Sequence, residues 1–132
     1  MTDIGKKYET VINRAVKEIY VKYPELDEKY GERGRQKCYE DNIYHFQYLE
    51  TSAGVGSAKV FTDYALWLNS VLVSRGMSTD HLIDNFRSII KALEASPEVE
   101  NGDAFSNHLY QAIYALEEIG RASCRERVST SV

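Results

Sequence analysis

The stretch Arg35-Gln-Lys-Cys38-Tyr-Glu-Asp41-Asn-Ile-Tyr44-His45-Phe-Gln-Tyr48 decides how the rest of the chain is read. Cys38, Asp41, His45 and Tyr48 are spaced three, four and three apart. On a helix that spacing puts them on one stripe. A thiol, a carboxylate, an imidazole and a phenol thus share a face where apolar core residues are expected. Arg33, Arg35 and Lys37 lie just before Cys38, near the predicted helix start. Positive charge and the helix dipole both favour thiolate, which makes Cys38 a candidate nucleophile. The plainer reading is a small buried hydrophobe, the usual state of a free cysteine.

Helices extend outward on both sides. Tyr8, Val11, Ile12, Ala15, Val16, Ile19 and Tyr20 recur at three-four spacing and predict one amphipathic helix over 5–22. Pro24 ends it. Residues 24–34 are polar, hold two glycines and predict a connection, with room for a short turn of helix. The second helix runs from Arg35 to about Ser52, and Gly54-Val-Gly56-Ser breaks the chain. A third helix over 58–75 is apolar around much of its circumference, which predicts the most buried element. Gly76 stops it. Ser78 caps a fourth helix from Thr79 to about Ala95, and Asn101-Gly102-Asp103 starts a fifth. No strand pattern occurs, so the fold class expected is all-α.

The last fifteen residues read differently. Glu118-Ile-Gly-Arg-Ala-Ser-Cys124-Arg-Glu-Arg-Val128 is rich in Arg and Ser and has no apolar period. The string resembles the translation of a common sequencing adapter. The expectation is one native domain over 1–117, followed by a non-native tail over 118–132. Excluding the tail removes Cys124, and with it the option of a Cys38–Cys124 disulfide.

Composition narrows the function. The chain has 132 residues, 43% of them hydrophobic, enough for one cored domain. Its net charge of −4 argues against a nucleic-acid binder. No apolar run reaches the length of a membrane span. The first residues lead into an amphipathic stretch and not a signal-peptide core, so a cytoplasmic protein is expected. Metal-ligand spacing, a nucleophile–base pair and a glycine-rich phosphate loop are all missing, so no enzymatic activity is expected.

The segment 35–48 resembles the chromophore-bearing helix of phycobiliproteins, which reads Arg-x-x-x-Cys-Leu-Arg-Asp and then Arg-Tyr. Gly56-Ser-Ala58-Lys-Val60-Phe-Thr-Asp63 is similar to their Gly-Asp-Ala-Ser-Val-Leu-x-Asp. Upstream, Val11 to Tyr20 with Pro24-Glu-Leu26 matches their preceding helix. Downstream, Gly102-Asp103 opens the last helix at a similar place. The likeness covers nearly all of residues 8–117. It implies a globin-like, phycobiliprotein-like helical domain that lacks the N-terminal helices and is truncated in the last helix. The nearest likeness is to the bacterial bilin-biosynthesis-associated globins, phycobiliprotein paralogues outside photosynthesis. A metagenomic contig would suit such a paralogue.

What the resemblance implies is specific. Cys38 matches the cysteine that forms a thioether with a linear tetrapyrrole, a bilin such as biliverdin or phycocyanobilin. Asp41 matches the aspartate that accepts hydrogen bonds from the central pyrrole N–H groups. A carboxylate there favours the cationic pigment. The family's arginine before that aspartate is Glu40 here, so Arg35, Lys37 or Arg33 would supply the cation for a propionate. Tyr44, His45, Tyr48, Tyr64 and Trp67 are the candidate wall of the slot. Implied partners are the bilin and the enzymes that make it, heme oxygenase and bilin reductase, with a homodimer as the candidate assembly.

Two rivals remain. His45 could serve as a lone axial ligand in a heme-binding globin, since the third helix holds no histidine and His81 and His108 are poorly placed. The other rival is a ligand-free globin-like module for protein–protein signalling. It becomes the better reading if the tyrosines fill the slot.

Overall fold

The computed structural model describes the backbone of residues 3–130 and the side chains of residues 4–120. All regular structure among them is helical: α1 (Asp3–Lys7), α2 (Glu9–Lys22), α3 (Glu25–Val55), α4 (Ala58–Ser74), α5 (Thr79–Glu94) and α6 (Gly102–Thr130). The all-α class expected from the spacing is therefore what the chain adopts. Residues 121–132, with Cys124, belong to the tail read as foreign, and their side chains lie outside the described residues.

The helix expected over 5–22 divides at Tyr8, whose backbone (φ −112°, ψ 20°) departs from helical values. The cause is packing. The buried Tyr8 ring stacks on Phe46 with centroids 4.4 Å apart, and its hydroxyl donates to Glu50 (2.6 Å). The aromatic contact ties the start of the chain to α3.

The polar run 24–34 does break at Gly31, as a connection would, but it is helical on both sides of the break, which is more helix than the short turn expected. It is the first part of α3, which is kinked at Gly31 (φ 62°, ψ −152°). Only glycine adopts that backbone without strain. Leu26 is buried beneath the kink, and Arg35 makes two bonds to Asp27 across it (2.9 and 2.6 Å). Gly34 completes the turn, because a Cβ there would lie 2.5 Å from Cβ of Tyr30.

The expectation that helix 58–75 is the most buried element is also corrected. Ten of the sixteen residues of α5 are buried, against four of seventeen in α4. The central α5 packs against both α2 and α6, whereas α4 lies between α3 and α6. Its outer side faces solvent, leaving Trp67 60% and Val73 47% exposed. A broad apolar circumference therefore marks a helix with an uncovered face, not the centre of the core.

The core is knit by aromatic and aliphatic groups: Phe46, Phe61, Phe86, Phe105, Ile12, Leu49, Ile89, Leu109 and Leu116 are fully buried. Two polar clamps cross it. Asn42 and Asn85 exchange amide hydrogen bonds (3.1 and 2.8 Å) between α3 and α5. Ser52 meets His108 Nδ1 at 2.8 Å, joining α3 to α6. Buried polar groups must be paired in this way to avoid a desolvation cost. The clamps fix the rotation of α3 and so decide which of its faces meets α4.

Candidate functional site on the α3–α4 face

The stripe forms on α3 as the spacing predicts, but its members differ in depth. His45 is fully buried, Cys38 and Asp41 are half-buried, and Tyr48 is exposed at the edge. Tyr64 reaches this stripe from α4. Its ring stacks on Tyr48 (4.0 Å, 12° between planes), and its hydroxyl lies 2.8 Å from His45 Nδ1. Trp67, one turn on, is 6.4 Å from Tyr64. Tyr44 is 55% exposed beside them. The structure thus brings together Cys38, Asp41, Tyr44, His45, Tyr48, Tyr64 and Trp67.

The cations do not all join them. Arg35 turns toward α2, pairs with Asp27 and lies over the Tyr20 ring at 4.5 Å. There it lines a cleft of about 290 Å³ with Val16, Glu32, Gln36 and Tyr39. Arg33 and Lys37 are exposed to solvent. Lys37, one turn before Asp41, is close enough to oppose the rise in that carboxyl's pKa. Arg75, at the C-cap of α4, does the same from the other side. It carries the positive charge that sequence spacing could not connect to the stripe.

Electrostatics correct the reading of Cys38 as a ready thiolate. Burial, helped by the Asp41 carboxylate, pushes its thiol up to about 12. The helical segment that carries Cys38 starts after the break at Gly31, about two turns upstream, beyond the first turn where the helix dipole acts most strongly. Asn42 donates to the Cys38 carbonyl at 2.9 Å and its amide nitrogen is 3.8 Å from Sγ. At neutral pH the group is a protonated thiol and so a slow nucleophile.

Asp41 is the unusual member. Burial raises its pKa, and among the described residues it makes no hydrogen bond or ion pair. Its oxygens are not among the buried atoms left without a partner, so they reach water, which a ligand's donors would replace. The carboxylate faces the phenol of Tyr64, whose own pKa is raised by burial and by Asp41, Tyr48 and Tyr44. The result is one acceptor group under a rim of exposed aromatic rings, suited to a flat ligand bearing N–H donors or delocalised positive charge.

The histidines are otherwise engaged. His45 Nδ1 is bound to Tyr64, and its ring meets Phe86 edge-on at 5.1 Å. Burial lowers its pKa to about 3, so it is neutral. His81 accepts from the Ser78 backbone N–H at the start of α5 (3.1 Å), and His108 faces Ser52. Among the described residues no group of His, Cys, Asp or Glu is arranged to hold a metal ion. Spacing missed three contributors, Asn42, Asn85 and Arg75. Asn42 alone carried a usable signal, since it lies four residues after Cys38.

No protein-family model matches the chain, no curated protein matches it, and no solved structure matches it.

Proposed function

We propose that the chain is a globin-like, phycobiliprotein-related domain that binds a linear tetrapyrrole on the α3–α4 face. The observation that carries this reading is Asp41, a half-buried carboxylate without a hydrogen-bond or ion-pair partner among the described residues, one turn from Cys38. Pyrrole N–H groups would satisfy it, and bonding to the charged carboxylate would return its pKa toward the ordinary range. Tyr44, Tyr48 and Trp67 would cover one side of the pigment, and Lys37 and Arg75 would stand near its propionates. The pigment would bring conjugated absorption; the protein assigns it geometry and protonation state. Cys38 would hold it through a thioether, slowly, because its thiol is protonated at neutral pH. We assign the chain no catalytic step.

A second reading draws support from one contact. The close stack of Tyr48 on Tyr64 occupies space where the slot was expected, as a ligand-free interaction module would require. Trp67 and Tyr44 would then be contact residues for another protein. Heme ranks below both, since His45 is fully buried with its ring packed edge-on against Phe86.

Co-expression with a bilin-forming pathway tests the proposal. A zinc-enhanced fluorescent band on a denaturing gel, lost in Cys38→Ala, supports covalent binding. A sharp Soret absorbance with heme and no band moves the assignment to heme. Binding of neither pigment leaves the interaction module.

A further inference from the structure

Tyr64 and His45 form a pair that pigment binding does not require. The phenol is buried, and its oxygen lies 2.8 Å from Nδ1 of a fully buried imidazole. That distance is within reach for direct proton transfer. With the imidazole proton on Nε2, Tyr64 donates and His45 accepts. Burial keeps His45 neutral, so its lone pair is available. Two rings connect the buried phenol to the surface. Tyr48 stacks on it at 4.0 Å and is 40% exposed; Trp67 lies 6.4 Å away and is 60% exposed. Phe61 and Phe86 pack close to the pair on its inner side. A phenol with its own proton acceptor, screened from water and coupled through π-systems to an open face, is the arrangement of a reversible one-electron donor.

We propose that Tyr64 gives up one electron through Tyr48 and Trp67 to a one-electron oxidant seated on the α3–α4 face, while its hydroxyl proton passes to His45. The Tyr64 O–H bond breaks and a neutral phenoxyl radical remains. An N–H bond forms at Nδ1, giving an imidazolium, and the oxidant is reduced by one electron. Nothing leaves the protein except that electron. A buried imidazolium is costly, so the proton returns to Tyr64 when the electron does. The oxidant is of the excited-pigment class, an identity that rests on the tetrapyrrole reading; the donor pair itself does not.

Flash oxidation of the pigment-free chain by photogenerated ruthenium(III) polypyridyl, followed by electron paramagnetic resonance, tests the pair. The expected result is a tyrosyl signal that forms more slowly in deuterium oxide and is lost in Tyr64→Phe. It persists in Tyr110→Phe and Tyr114→Phe. Tyr64→Phe keeps the ring and its packing, and circular dichroism verifies the fold. A signal unchanged in Tyr64→Phe places the radical on exposed tyrosines and overturns the proposal. Illuminating the pigment-loaded chain then tests the oxidant. A light-induced Tyr64 radical supports the excited pigment, and a bound pigment that gives none overturns that half. Failure of the tetrapyrrole reading shows separately, as no pigment absorbance on the protein.

Discussion

Cys38 and His45 make the sharpest residue-scale expectations, because each departs from its ordinary acidity for a stated reason. The Cys38 thiol stands at about 12, so only a small fraction is thiolate at neutral pH. In a Cys124→Ser background, its alkylation by iodoacetamide should be slow at pH 7 and rise about tenfold per pH unit up to that value. Asp41→Asn removes the neighbouring negative charge and should speed the reaction at every pH below it. A fast, pH-flat reaction near neutrality would instead indicate the thiolate suggested by the local charges. His45 acts on stability. It is neutral when folded down to about pH 3, whereas in the unfolded chain it takes a proton below the ordinary histidine value of 6.5. Between those values the unfolded state binds more protons, so stability falls as pH falls. The slope from this group is at most about 1.4 kcal/mol per pH unit. Urea unfolding between pH 4 and 7 should show a shallower pH dependence in His45→Gln than in the parent. The stripe itself was legible, since three-four spacing places its members on one face whatever the fold. Their partners were not: Tyr64 on His45, Asn85 on Asn42 and Arg75 near Asp41 all depend on how α4 and α5 dock.

At the scale of the helix, α3 is the informative element. Pro24 and two glycines made residues 24–34 read as a connection with at most a short helical turn; Gly31 does interrupt the helical backbone there, but helix continues on both sides of it. The bend survives because Leu26 is buried and Asp27 holds Arg35, two contacts that local propensity does not reveal. Gly34→Ala should cost about 1–3 kcal/mol, since its new methyl would press on the Tyr30 Cβ. Gly54→Ala, with open space around it, makes the control, and denaturant midpoints compare the two. The ends of α4 and α5 were readable because Gly76 and Ser78 punctuate them locally. The exposure of α4 was not readable. Apolar side chains on a helix look the same whether they face a neighbour or solvent.

Across the whole molecule, the uncovered face of α4 and the filled centre around α5 should respond differently to substitution. Phe86→Ala empties a fully buried site and should cost about 3–5 kcal/mol. Trp67→Ala, at a mostly exposed position, should leave the unfolding midpoint nearly unchanged while weakening ligand binding. Among the described residues no helix is long and apolar enough to cross a membrane; the occupant proposed for the exposed rings of α4 is the pigment. The direct measurement of that occupant is a visible absorption titration of the purified chain with biliverdin, alongside its Asp41→Asn and Trp67→Ala variants. The account predicts saturable binding with a strengthened long-wavelength band of the protonated pigment, lost in Asp41→Asn and weakened in Trp67→Ala. A spectrum identical to that of free pigment, or saturable binding indifferent to both substitutions, would contradict it.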